Sequence, residues 1–596
     1  MTDRLHDIER LYQQATALFK QGDFQGAASS FTAVLQHEPT LSVAHNGLGL
    51  ALYSMGNQAD ALARFDAAIR YDPFFASPLI NRGMILRDMG KPEAALACLE
   101  KAVALDPRNA NAHGNRGMVL TELQQPTAAN ACFERCLQLN PDYADVAGIR
   151  LLNKMYVCDW SNLHYELDDL LEKIERGVPT TPPWPLLGLT DSPLAKLKVA
   201  ERWAATKCAP NPSLGPLKPY SGHQRIKLGY YSADYHRHAT AYLIAELFER
   251  HDRAKFEVIA FSFGADTGDD MQRRIAAGCS RYVDVRARTD QEVAAMSRKL
   301  EIDIAIDLKG FTLENRVGIF AHRAAPIQVN YLGYPGTMGA PYIDYIIADD
   351  TVIPEEARRF YSEKVVNLPG SYQVNDRKRQ VSDRVYTRAE LGLPETGFVF
   401  CCFNNNFKIT PEIFGIWVKI LNATEGSVLW LIEDNPTAAA ALRRNAAAFG
   451  LDPKRLVFAK RIAPDEHLAR HKMADLVLDT LPYNAHTTAS DALWVGVPLV
   501  TCPGESFPAR VAASLLRAVN MPELIVPTLA DYETLAIALA RDPARLQALK
   551  DRLVSTRATA PLFDTDAFTR NIEAAYSRMH QSQQAGRPPQ SFTLTP

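Results

Sequence analysis

Long apolar runs, paired cysteine spacings and a surplus of one charge are all missing from this chain of 596 residues. No segment approaches the roughly 20 consecutive apolar residues that a membrane span needs, and the opening MTDRLHDIERLYQQ has no apolar stretch after a basic one. Neither a leader nor an anchor is expected. The 9 cysteines include the neighbours Cys401 and Cys402 but no CxxC spacing. That argues against a zinc ribbon and a disulfide framework, and for a reduced, cytoplasmic chain. A formal net charge of -3 leaves no footprint for nucleic acid. What remains is an ordinary globular composition on a chain too long for one core, which at about 150 residues per domain suggests three or four units.

The first quarter repeats. Pro39, Pro73, Pro107 and Pro141 recur every 34 residues, in phase with Gly49, Gly83 and Gly117 and with Gly22, Gly56 and Gly90. This is the tetratricopeptide period, and it predicts an α/α superhelix over residues 1–157. A glycine inside the first helix lets its partner approach, one at the turn takes a positive φ, and the proline ends the second helix. Such an array is either a scaffold or a concave groove for extended protein segments. Asn81 and Asn115, one repeat apart on the first helices, are the candidate peptide-holding side chains.

Residues 158–224 read as a helical connector with a proline-rich turn at TTPPWP. Thereafter short apolar runs such as IKLGYYSAD, FEVIAFSFG and IDIAIDLKG alternate with helical stretches, the pattern of a parallel sheet. A second series follows NDRKRQVSDR, with FVFCCFN, VLWLIED, RLVFAKR and ADLVLDTLPY. Two doubly wound, Rossmann-like halves are expected at 225–375 and 376–580, and a disordered tail at 581–596.

In doubly wound sheets ligands lie beyond the carboxyl ends of the strands, so the loops there are the place to look for chemistry. In LDTLPYNAHTTASDALW a strand is expected to end near Tyr483 and a helix to begin near Thr487 or Thr488. Free N–H groups and the helix dipole at such a start suit a diphosphate, with His486 and Asp491 in reach of an attached ribose. Alternatively, the threonines only cap the helix. Lys408 and Asn405 in FNNNFKIT follow another strand, and the lysine could neutralise a leaving diphosphate. His467 and His471 have i, i+4 spacing but no third ligand, and Arg470 beside them favours a nucleotide contact over a metal. In GYYSADYHRHAT, His236 and His238 follow the first strand, and either is a candidate general base. Pro335, Gly336 and Gly339 are expected to shape a close backbone approach, and the DTD run from Asp564 to Asp566 to cap the last helix.

The repeats followed by GYPGTMGAPYIDY, CFNNNFKI, NAHTTASDALW and TCPGESFPARVAASLL resemble the protein O-GlcNAc transferase family, in particular its shorter bacterial-type members. The resemblance covers nearly the whole chain and implies a GT-B fold. It implies transfer of N-acetylglucosamine from UDP-GlcNAc to Ser/Thr hydroxyls of proteins held by the repeat arm, with inversion and without a metal or other cofactor. Lys408 would then neutralise the UDP diphosphate, Thr487 and Thr488 bind its oxygens, and His486 and Asp491 hold the ribose. Asn405, His467 and Arg470 would complete the pocket, and His238 matches the histidine once favoured as base. Two departures stand out: Asp303 replaces a second family histidine, and Asn405 replaces a glutamine of the animal enzymes. The related SPINDLY branch, which transfers fucose from GDP-fucose, is the alternative enzyme, and an adaptor that only binds nucleotide is the non-enzymatic one. NAHTTASD favours UDP.

Overall fold

The computed structural model describes residues 2–218, 220 and 222–595. They form two compact units, residues 1–154 and 155–596.

The first unit is the repeat array. Four helical hairpins run from Thr2–Lys20 paired with Phe24–His37 to Ala110–Glu122 paired with Pro126–Leu139. The phased glycines do what their positions require. A Cβ on Gly49 would lie 2.6 Å from the Phe65 ring, and one on Gly117 would lie 2.5 Å from the Phe133 ring. Gly22, Gly56 and Gly90 all have positive φ at the turns, and Gln124 takes the same conformation in the last repeat. Asn81 donates to Asn46 Oδ1 of the preceding repeat (2.9 Å), while Asn115 donates to Asn111 O of its own helix (2.9 Å). Both asparagines are half-buried. The partner that extends Asn81 is thus Asn46, one residue from the position that the 34-residue phase picks out.

The second unit holds two parallel sheets. In chain order the strands are β1 (Ile226–Ser232), β2 (Phe256–Ser262), β3 (Arg281–Asp284), β4 (Ile304–Asp307), β5 (Ile327–Asn330), β6 (Tyr345–Ala348) and β7 (Lys364–Asn367). Then come β8 (Val399–Cys402), β9 (Val428–Ile432), β10 (Leu456–Ala459), β11 (Leu476–Leu478), β12 (Leu499–Val500) and β13 (Phe592–Thr593). The first sheet has the order β13-β7-β6-β5-β4-β1-β2-β3 and the second β10-β9-β8-β11-β12. Fully buried runs such as VLWLI in β9 fit strands covered on both faces by helices.

Two boundaries differ from the sequence expectation. The tail is not disordered: the helix Thr565–Gln584 runs into it and β13 pairs with β7, with Phe592 only 8% exposed. Two apolar side chains, Phe592 and Leu594, and an otherwise open strand edge suffice to order a polar stretch. The same helix, expected in the second half, docks on the first sheet's side. Glu573 meets His251 (2.9 Å), Tyr230 reaches Tyr576 (3.3 Å), and Thr565 donates to Asn375 O (2.7 Å). The connector belongs to this unit too. Gly339 (φ +58°) lies so close to the helix Pro193–Lys207 that a Cβ there would come within 2.3 Å of Glu201 N.

Candidate active site

Lys408 closes a short 3₁₀ turn, Asn406–Lys408, just past β8. Its ammonium donates to Asn484 O (2.8 Å) and lies 3.8 Å from the centre of the Tyr483 ring. Burial lowers its pKa to about 8, with Asp479 opposing the shift. Asp479 follows β11 and is itself pushed up to about 6 by burial, against bonds from Thr501, Ala485 and Thr480. Those bonds explain why β11 ends at Leu478 rather than near Tyr483: the Asp479 carboxylate takes the N–H groups of Thr480 (2.8 Å) and Ala485 (2.6 Å) and folds the intervening residues into a loop.

This loop delivers the helix Thr487–Trp494, with His486 at its N-cap. The threonines are not caps. Among the described residues no acceptor meets the N–H groups of Thr487, Thr488 or Ala489, and the Thr488 hydroxyl bonds instead to Asn404 Oδ1. Asn404 in turn donates to Thr480 Oγ1 (2.8 Å), stitching the β8 and β11 loops together. His486 touches Pro508 O through Nε2 (3.1 Å), and burial followed by the Lys408 charge holds it well below the usual imidazole range, hence neutral. Three free N–H groups beside a buried ammonium make a pocket for negative charge.

Around the rim, His467 packs on Phe403 (ring centres 4.9 Å apart) and accepts from the Arg470 guanidinium (2.9 Å). Burial, then the charges of Arg470 and Arg461, push His467 down to about 4. His471 is buried against Cys401 (3.8 Å), and no metal-holding group of three His, Cys, Asp or Glu occurs among the described residues. Asn405 accepts from Arg461 (3.1 Å). Asp491, one turn into the helix, is paired with Arg379.

The other sheet contributes the loop after β1. His238 caps the helix Ala239–Arg250, its Nδ1 accepting from Thr240 N (3.2 Å) and lying 3.5 Å from Asp234. Its side chain is 43% exposed, yet crowding on the protein side lowers its pKa, with Asp234 opposing and Lys309 reinforcing the shift. Asp234 is buried and gripped by Lys309 through both oxygens (3.0 Å each). Tyr483 of the β11 loop packs on the cluster containing Tyr334 and Met338, which follow β5, so the carboxyl-end loops of the two sheets meet. Among the described residues no contact joins His238 to Lys408. Together the loops offer an anion pocket with a neutral imidazole on the opposite sheet, the parts required to expel a diphosphate and accept a proton.

The family model of glycosyl transferase family 41 matches residues 216–385 and 379–572, and tetratricopeptide models match 12–76 and 90–153. The chain belongs to glycosyl transferase family 41. It is 35% identical over 460 residues to the probable UDP-N-acetylglucosamine–peptide N-acetylglucosaminyltransferase SEC of Arabidopsis thaliana, covering 74% of this chain and 47% of that protein. The probable UDP-N-acetylglucosamine–peptide N-acetylglucosaminyltransferase SPINDLY of Oryza sativa subsp. japonica is 33% identical over 371 residues, 61% of this chain and 39% of that protein. The chain therefore spans about half or less of the length of these relatives. Among solved structures, a mutant of the Thermobaculum terrenum O-GlcNAc transferase superposes with a TM-score of 0.61 at 27% identity, covering 98% of this chain and all of that one.

Of the two positions at which the sequence departs from the resemblance, Asp303 and Asn405, one lies away from the anion pocket. Asp303 precedes β4 at the amino edge of the sheet, where it accepts from Lys227 N (2.9 Å) and faces His223 (3.0 Å). Asn405 does sit at the β8 exit. Sequence reading missed Asn404, Asp479, Asn484, Asp234 and Lys309. The first three lie inside the motifs that drew attention to Lys408 and His486, but their roles are hydrogen bonds across loops, which spacing does not reveal. Asp234 and Lys309 lie just past β1 and β4, 75 residues apart in sequence.

Proposed function

We propose that the chain transfers N-acetylglucosamine from UDP-GlcNAc to serine or threonine hydroxyls of protein segments bound by the repeat array, with inversion, and does so in the cytoplasm. The observation that carries the reading is the buried Lys408 beside the uncapped start of the helix Thr487–Trp494. As the sugar C1–O bond to phosphate breaks, charge gathers on the diphosphate. A fixed ammonium and three N–H groups stabilise that charge without a metal, the kind of preorganised electrostatics that supplies much of an enzyme's rate. Thr487 and Thr488 contact the phosphates, His486 and Asp491 the ribose, and Asn405, His467 and Arg470 the rest of the nucleotide.

The acceptor hydroxyl attacks C1 and its proton passes to a base, for which His238 is the candidate on this chain. Its lowered pKa keeps it neutral at pH 7. To accept at Nε2, its own proton must sit on Nδ1, facing Asp234 rather than accepting from Thr240. The names of the relatives support the donor, and the array supports a protein acceptor, whose backbone Asn81 and Asn115 would hold.

Calorimetric titration with UDP, UDP-GlcNAc, GDP and GDP-fucose, without added metal, tests the reading. UDP and UDP-GlcNAc should bind, followed by addition of an N-acetylhexosamine mass to an acceptor peptide. Preference for GDP would move the chain to fucosyl transfer, nucleotide binding without transfer would leave an adaptor, and binding of none would overturn the reading.

A further inference from the structure

A cleft of about 520 Å³ lies away from the anion pocket, along the helix Pro464–His471 and at the carboxyl end of the helix Thr487–Trp494, whose amino end faces that pocket. Its lining includes Arg379, Arg384, Lys472, Arg557 and Trp494, against a single carboxylate, Asp383. Two of the four cations have no acidic partner among the described residues: Lys472 is exposed at a helix end, and Arg557 donates to Trp494 O (3.1 Å). Arg379 is only 6% exposed, and one of its nitrogens pairs with Asp491. Its Nε and Nη2, and the Trp494 Nε1, are buried with no acceptor. The guanidinium groups of Arg379 and Arg557 lie 5.4 and 4.9 Å from the Trp494 ring, leaving the indole fixed between cations. Val381 and Met473 give the cleft an apolar side.

Buried donors without acceptors are rare in folded proteins, because each costs the desolvation of an unmade bond. Three of them on residues lining one cleft, beside two cations without an acidic partner among the described residues, give that cleft the donors for an anion. We propose that this cleft binds a small organic phosphate, its phosphoryl oxygens meeting Arg379, Arg557 and Lys472 and its apolar body resting on Val381 and Met473. Arginine forks suit phosphate geometry, and a cleft of this volume suits a small ligand. Through Arg379, the site touches the Asp491 carboxylate of the nucleotide helix.

The test is calorimetric titration of the full chain with phenyl phosphate and, separately, inorganic phosphate. The expected result is one equivalent of phenyl phosphate bound more tightly than inorganic phosphate. Affinity should weaken by at least about tenfold in Lys472→Gln and in Arg557→Gln, and be retained in Lys408→Met. Lys472 is exposed, so its variant tests the proposal even should Arg557→Gln unfold. Equal affinity for the two probes would assign the site to free phosphate and remove the organic ligand. Loss in Lys408→Met with retention in the other two would place binding in the diphosphate pocket and overturn the proposal, as would no binding of either probe.

Discussion

At the scale of single residues, the structure turns on two buried cations with different partners. Among the described residues Lys408 has no ion pair, and burial lowers its pKa from 10.5 to about 8, so it is charged below that pH and neutral above it. If it stabilises the departing diphosphate, kcat/KM should fall as pH rises through about 8, and Lys408→Met should lose about 100- to 1000-fold in transfer while remaining folded. Pre-steady-state transfer to a peptide across pH 6 to 10 checks both parts. The linkage runs the other way for stability. Between about 8 and 10.5 the unfolded chain holds a proton on this lysine that the native chain does not, so Lys408 makes stability rise with pH in that window, and Lys408→Met should flatten the rise. Lys309, by contrast, is held by both oxygens of Asp234 with each side chain 6% exposed. Removing one partner strands a buried charge at a cost of about 3 to 5 kcal/mol. Urea unfolding should therefore show Lys309→Met or Asp234→Leu strongly destabilised and the double variant much less so. Equal losses in all three would mean that the pair is not coupled.

At the scale of elements, legibility followed the range of the interaction. The repeat helices were readable because their constraints are local and recur: Gly49 and Gly117 accommodate aromatic rings from the neighbouring helix, and Gly22, Gly56 and Gly90 need positive φ. The β8 and β11 loops were readable as places for chemistry because they follow strands. Where β11 stops was not, because that depends on Asp479 closing a loop through N–H groups six residues away. These two kinds of glycine make separate predictions. Gly49→Val must displace Phe65 from a ring carbon 2.6 Å from the new Cβ, and overpacking of this sort costs about 1 to 3 kcal/mol. Gly56→Ala meets no atom within 4 Å, so its cost is only the left-handed backbone, about 1 to 2 kcal/mol. Thermal unfolding of residues 1–154, a compact unit by themselves, should place Gly49→Val at or below Gly56→Ala. The reverse order would show that Phe65 has room to yield.

At the scale of the whole second unit, the fold is not complete where its second sheet ends. The helix Thr565–Gln584 returns to the first sheet and β13 adds to its edge beside β7, an arrangement that the polar, proline-bearing tail conceals because only Phe592 and Leu594 carry its apolar content. Phe592 lies against Tyr345, with Arg578 above its ring at 4.2 Å, and the backbone of Leu594 bonds to Asn367 O (2.9 Å). Cutting the chain after Gly586 would expose the β7 edge and the face of Tyr345. Burial of a phenylalanine side chain contributes about 1.5 to 3 kcal/mol, so the truncated protein should unfold at a measurably lower temperature. The proposed nucleotide pocket is built on the loops after β8 and β11, away from this strand, so on that proposal UDP should bind the truncated chain as tightly as the full one. A truncation that left the melting temperature unchanged would show that β13 merely rests on the sheet edge. One that abolished UDP binding would show that the first sheet's edge helps to hold the loops around Lys408 in place.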